Sequence, residues 1–386
     1  MKTYILPITK NYVSNWTILE AVRELIQNGL DGQGQFSITY TAEEEKLSLC
    51  STNTKLEPKK LLLGCSEKQG KAIGKFGEGL KLAIVVLLRE KKDLFIFNAE
   101  DQWKPEFRWA EAYDEEILHI DELADMSEGQ DFAVHVYGIR FETYLKIKEL
   151  TLILQNEGEI GHQIPCKIGS ILTERKGKLY VGGLFVCDTE MEYSYNILPE
   201  FLPLERDRQT VGSWQLKSLT KQMWLDAAKW DIVAEGLEMS YQDFDYFEYG
   251  QVKDLQEACK RRFYSNRGYS SSSSWAGSSV SPKPFPVESS EELAKAQKVK
   301  GLLPVVVKSK VFLAILKSME DFKLDLKAAT RPASFPVKRL QAFLRNHRDK
   351  MPKETVESFR HLIKVCKEES WRPEKTLEEK KDKLPF

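Results

Sequence analysis

Between residues 17 and 30 the apolar positions fall at helical spacing: Leu19, Val22, Leu25 and Ile26 form one stripe, with polar residues between them. Thr17 and Glu20 stand three apart at its start, the signature of a capping box. Glycines accumulate over 29–34 and end the helix. A strand at Thr3–Pro7 precedes it, and two alternating segments, Phe36–Tyr40 and Lys46–Cys50, follow as a hairpin across a charged turn. Pro58–Leu63 reads as a short helix, 64–79 as a loop rich in Gly, Ser and Lys, and Leu80–Leu88 as a strongly apolar helix. Strand patterns then dominate at Asp93–Asn98, Glu106–Ala110, Ile117–Ile120 and Phe132–Gly138.

This order predicts an α+β fold, an α/β sandwich with helices on one face of a mixed, mostly antiparallel sheet. A doubly wound parallel fold would need strands and helices to alternate throughout, and here they do not. A helix from Glu142 to about Gln155 opens a second α+β domain, with strands at Ile168–Thr173, Lys178–Val181 and Leu184–Cys187. Residues 264–290, with five consecutive serines, read as a flexible linker. Helices at Glu291–Val299, Ser309–Lys317, Val337–Arg345 and Lys353–Lys367 then predict a C-terminal helical segment. The expected domains are therefore 1–140, 141–263 and 291–386, with 264–290 as linker.

Composition changes this picture in two places. The formal net charge is −1, yet residues 301–386 carry 20 Lys and Arg against 12 Asp and Glu. That leaves a basic segment of net +8 on a body of net −9. Such a segment suits an acidic partner, either nucleic acid or another protein, although solvated helix faces are the commoner explanation of such charge. The six cysteines show no CxxC pair, and the five histidines no metal-ligand spacing. Free thiols in a reducing, cytoplasmic setting fit this usage, and no apolar run is long enough to span a bilayer.

Two motifs carry the candidate chemistry. Glu24, Asn28 and Asp31 lie on Glu24-Leu-Ile-Gln-Asn28-Gly-Leu-Asp31, and a four-residue spacing sets Glu24 and Asn28 on the same helix face. Gly74-Lys-Phe76-Gly77-Glu-Gly79-Leu-Lys81 is a glycine-punctuated loop entering a helix, able to offer backbone N–H groups to phosphate oxygens. It is neither a GxGxxG nor a Walker A sequence. Alone, either motif is as easily a wet helix face or a simple turn. Together, in this order, they suggest a triphosphate site.

The pair resembles the N-box and second glycine box of the GHKL superfamily, ATPases and kinases with a Bergerat nucleotide-binding fold. Its members include type II topoisomerase subunits, ninety-kilodalton heat-shock chaperones, MutL proteins and histidine kinases. The similarity spans roughly residues 15–140. It implies ATP and Mg²⁺ as cofactors, Asn28 as the metal ligand, and Glu24 as the base that directs water. It further implies phosphate contacts from Ser66, Lys68, Gly74, Phe76, Gly77, Gly79 and Lys81. The superfamily's Asp-x-Gly-x-Gly box is replaced here by Cys50-Ser-Thr-Asn53-Thr-Lys-Leu56, which leaves Asn53 as the preferred substitute for reading the base. Asp131, before the last strand of the domain, is the polar candidate beneath the base. The second domain faintly resembles a transducer domain, whose basic residue reaches the γ-phosphate, and Arg206 and Arg208 are the candidates.

On this resemblance the chain is a slow ATPase acting as a conformational switch on a macromolecular partner. Modules of this kind often pair through their N-terminal segment, so a homodimer is a further expectation. The rival readings are a catalytically inactive adaptor of the same fold, or a nucleic-acid-binding protein acting through 301–386.

Overall fold

The computed structural model describes residues 2–32, 34–62, 78–124, 131–202, 213–245, 252–267, 282–299, 301–323 and 335–369. The chain divides into two compact units, Met1–Ala258 and Cys259–Phe386.

The first unit begins with strand β1 (Lys2–Thr9), helix α1 (Ile18–Leu30) and a hairpin of β2 (Phe36–Thr41) and β3 (Lys46–Ser51). Helix α2 (Gly79–Arg89), strands β4 (Asp93–Asn98), β5 (Asp101–Ala110), β6 (Glu115–Leu123) and β7 (Phe132–Tyr137), and helix α3 (Phe141–Glu149) follow. The seven strands form one sheet in the order β1-β6-β5-β4-β7-β3-β2, and every neighbouring pair is antiparallel. The expected sandwich is what the chain forms. Strand alternation turns Leu47, Leu49, Leu94, Ile96, Val134 and Val136 toward the helices, where they share one core with Val22, Ile26 and Val85. Two steps are non-local: β1 pairs with β6, and β7 is inserted between β3 and β4.

Local chemistry fixes where α1 starts. The Leu19 amide donates to Thr17 Oγ1 at 3.2 Å, and the Thr17 amide donates to Glu20 Oε2 at 2.6 Å. Both arms of the capping box are therefore made. Thr17→Ala is expected to cost about 1 kcal/mol, read as a lower denaturant midpoint with an unchanged slope. The preceding loop is held from the far end of α2. There the Arg89 guanidinium donates to the carbonyls of Lys10, Tyr12 and Val13 at 3.3 Å and of Trp16 at 2.6 Å.

On the sheet face opposite the helices, Asp121 accepts from Thr3 Oγ1 at 2.6 Å and from Arg108, which also reaches Glu106. The Arg108 guanidinium and then the Thr3 hydroxyl hold the Asp121 carboxyl below its ordinary pKa. A depressed acid adds stability above its unfolded value of 3.8 and loses it as pH falls through the folded one. Arg108 is about a third exposed, so the expected contribution is only about 1 kcal/mol. The stability difference between the wild type and Asp121→Asn should be present at neutral pH and vanish on acidification below the ordinary carboxylate range.

The rest of the first unit carries a smaller sheet of β8 (Gln163–Cys166), β9 (Gly169–Leu172), β10 (Lys178–Val181), β11 (Leu184–Asp188) and β12 (Ser194–Ile197), preceded by the single-turn helix α4 (Glu157–Ile160). Its order is β11-β10-β12-β9-β8, with β10 and β12 parallel. Helices α5 (Ser213–Ala227) and α6 (Trp230–Met239) follow, and Trp224 of α5 donates to the hydroxyl of the buried Tyr195 on β12 at 2.9 Å. Tyr195 donates in turn to Asp243, which also accepts the amides of Glu192 at 2.7 Å and Tyr193 at 3.2 Å. Helix α7 (Lys253–Ser265) runs across the boundary between the two units.

The second unit differs from the helical segment expected. It holds two parallel strands, β13 (Lys283–Val287) and β14 (Leu302–Val306), linked by helix α8 (Ser290–Ala296). Residues 264–290 were expected to be linker because their Ser-, Gly- and Pro-rich composition holds few aliphatics, yet Lys283–Val287 form a strand. Among the described residues β13 pairs only with β14, so a proline lacking an N–H is tolerated on its other side. Helices α9 (Lys310–Ser318), α10 (Phe335–His347) and α11 (Lys353–Glu369) match the expected positions. Among the described residues no helix is long and apolar enough to cross a membrane.

Candidate functional site

Glu24 and Asn28 of helix α1 lie against the first turn of α2. Glu24 is fully buried, Gln27 nearly so, and Asn28 half-buried. A carboxylate has no place in a helix interior unless a structured polar partner is nearby. That partner is the first turn of α2. A Cβ added to Gly79 would lie 2.4 Å from Glu24 Oε2 and 3.4 Å from Asn28 Nδ2. Only a residue without a side chain lets the start of α2 come this close. The two sequence motifs, about fifty residues apart, thus meet with the positive end of the α2 dipole against the Glu24 carboxylate. Arg23 adds a guanidinium 3.5 Å from Glu24 Oε1. Asp31 is the C-cap of α1, its amide donating to the Gln27 carbonyl at 3.0 Å.

Lys81 takes a different position from the phosphate contact expected of it. It is 1% exposed, and its ammonium donates to the carbonyls of Lys60 at 2.8 Å and Leu62 at 2.6 Å. These carbonyls belong to the turn that enters the 63–77 segment, so Lys81 fastens α2 to that entry. Burial of an ammonium is tolerable because carbonyl oxygens replace its water.

Asn53 and Asp131 are also brought together. Asn53 adopts a left-handed backbone with φ of 50°, and its amide donates to Asp131 Oδ1 at 3.0 Å. The Asp131 carbonyl accepts the amide of Ala99, and its Oδ2 lies 3.9 Å from Cys50 Sγ. Burial, then the charge of Asp131, push the Cys50 thiol above its ordinary pKa. The neighbouring Asn98 was not anticipated from sequence. Its side chain accepts from the Leu56 amide at 2.7 Å and donates to the Leu56 carbonyl at 2.9 Å, fixing the strand-to-loop turn. The only sequence signal for it was an amide closing the apolar strand Asp93–Asn98. Ser66, Lys68, Gly74, Phe76, Gly77, Arg206 and Arg208 lie outside the described residues.

Among the described residues there is no cluster of three or more His, Cys, Asp or Glu able to hold a metal alone. A Mg²⁺ ion that arrives with a nucleotide needs no such cluster, because phosphates and waters fill most of its shell. One amide oxygen on a rigid helix, as at Asn28, fits that requirement.

No family model matches the chain, and no curated protein matches it. Among solved structures it is similar to the ATPase region of Saccharomyces cerevisiae topoisomerase II, with a TM-score of 0.27 and 10% identity. The match covers 44% of this chain and 62% of that one, so the chain spans less than two thirds of that region.

Proposed function

We propose that the first unit binds a nucleoside triphosphate with Mg²⁺ and hydrolyses it slowly, as a conformational switch. The observation that carries this reading is the contact of Gly79 with Glu24 and Asn28. A helix N-terminus, a carboxylate and a carboxamide converge there, which are the three groups a triphosphate–Mg²⁺ site requires. Asn28 is the residue to ligate the metal, whose chemistry would be to neutralise phosphate charge. Glu24 is the group to accept the proton of the attacking water. Gly79, with Gly74, Phe76 and Gly77 before it, offers backbone N–H groups to the phosphates, and Ser66 and Lys68 belong to the same loop. Lys81 acts from behind, holding the loop's entry turn against α2. Arg206 or Arg208 would meet the γ-phosphate as a bidentate donor. Asn53 and Asp131 are the residues to read the base, and their shared hydrogen bond supports treating them as one unit. Turnover is expected to be slow, since a conformational step often limits such enzymes.

Calorimetry with ATP and Mg²⁺ tests the binding half. Wild type should release heat, and Asn28→Ala should lose the Mg²⁺-dependent part of it. Absence of heat and of thermal shift at about millimolar nucleotide would instead favour an inactive adaptor. One observation supports that second reading: Asp131 Oδ1 already accepts from the Asn53 amide and Oδ2 faces the Cys50 thiol, so the carboxylate is engaged within the fold. The domain limits 1–140, 141–263 and 291–386, partner binding through 301–386 and pairing of two copies remain part of this proposal. A nucleic-acid partner would show affinity that falls steeply with salt and disappears on removal of residues 301–386.

A further inference from the structure

A cleft lies beside α1, lined by Leu19, Glu20 and Arg23 of that helix. It has a volume of about 350 Å³ and is bounded by α1, the end of α3 and strand β11. Its walls are fixed before any ligand arrives. The Leu152 amide donates to the Gly183 carbonyl at 2.8 Å, and the Phe185 amide to the Leu150 carbonyl at 3.0 Å. Those bonds stitch the α3 end to β11. The size matches the small end of the range for metabolite pockets.

The lining divides into two kinds of surface. Leu19, Ile147, Leu150, Phe185 and Val186 supply apolar wall. Arg23 supplies a guanidinium whose Nε is buried with no hydrogen-bond partner among the described residues. An unmatched buried donor is costly, more so on a charged group, and a ligand that accepts from it recovers that cost. Desolvation holds the Arg23 pKa below its ordinary value, partly offset by Glu20. Glu20 and Asp188 also line the cleft; Glu20 Oε2 accepts from the Thr17 amide and hydroxyl, and Asp188 is exposed at the end of β11. Glu24 meets Arg23 through Nη2, not Nε.

We propose that this cleft binds a small amphipathic anion, an apolar body ending in one carboxylate or phosphate that accepts from Arg23 Nε–H. A planar oxyanion suits a guanidinium edge better than an ammonium would, which makes Arg the fitting residue there. The site is independent of the nucleotide reading.

Cys187 lines the cleft and is half-exposed, so its alkylation reports occupancy. Burial raises its thiol pKa, which calls for mildly alkaline solution, about pH 9, in the assay. Iodoacetamide labelling of the full chain is followed by mass spectrometry with hexanoate, hexyl phosphate or hexanol added. A site of about 1 mM affinity slows Cys187 labelling roughly tenfold at about 10 mM probe. Protection by hexanoate assigns a carboxylate ligand, and protection by hexyl phosphate a phosphate ester. Arg23→Gln should abolish protection while labelling of Cys166 stays slow, which shows that the fold is kept. If Arg23→Gln unfolds, Arg23→Lys replaces it and should weaken protection. Equal protection in the Arg23 variant, equal protection by hexanol, or none by either anion overturns the proposal. Mg·ATP alone should leave Cys187 labelling unchanged; protection by it would place the nucleotide in this cleft and overturn the separate site.

Discussion

Glu24→Gln is expected to lower phosphate release from Mg·ATP by roughly 10²–10⁴-fold while nucleotide affinity stays close to that of the wild type. The substitution preserves the shape and hydrogen-bonding reach of a side chain that is completely buried. It removes the capacity to take a proton, together with the charge that faces Arg23. A Glu24→Ala variant is less informative, because it also opens a void between α1 and α2. Its loss of activity would mix chemistry with packing. Single-turnover release measured beside calorimetric affinity separates the two effects. Release unchanged in Glu24→Gln would remove Glu24 from the chemistry. Affinity lost together with release would make Glu24 a binding residue.

The second large effect is expected at Gly79. In a helix, Gly→Ala ordinarily stabilises by about 1 kcal/mol, through backbone entropy and propensity. Here the added methyl would sit 2.4 Å from Glu24 Oε2, with Asn28 Nδ2 at 3.4 Å. Relief requires moving a fully buried carboxylate or shifting the start of α2. Forcing an extra methyl into a packed interior typically costs 1–3 kcal/mol, so the clash outweighs the propensity gain. Gly79→Ala should therefore lower stability and weaken nucleotide binding together. Gly158→Ala, whose Cβ meets nothing closer than 3.4 Å, is the control. Combining Gly79→Ala with Glu24→Ala should recover stability, since the carboxylate that the methyl strikes is gone. A strictly additive pair would mean that the two residues do not touch in solution.

Much of the first unit was legible in the chain itself. The α1 cap, the β2–β3 hairpin and the strand at Asp93–Asn98 appear where pattern placed them. These features depend on neighbours three or four residues away, or on alternation within one strand. The short strands β8 and β12 were not anticipated; each offers two apolar residues, fewer than the equally short β10, which was. The parallel pair β13–β14 was not anticipated, because β13 follows a serine-rich stretch whose composition reads as linker.

The candidate site divides along the same line. Sequence determined which residue types stand one helical turn apart, Glu24 and Asn28, and that a glycine opens the later helix. Tertiary structure alone decided that Gly79 lies against them. Lys81 carries the same charge as an exposed lysine, and nothing local distinguishes the two. Its burial follows from the packing of α2 against the 58–62 turn. Asp131 reaches Asn53 only because β7 is inserted between β3 and β4, a pairing between segments some eighty residues apart. Periodicity and caps are written in short-range sterics and hydrogen bonding. Strand order and the partner of each buried polar group are set by how the whole chain closes on its core, and there the sequence alone was silent.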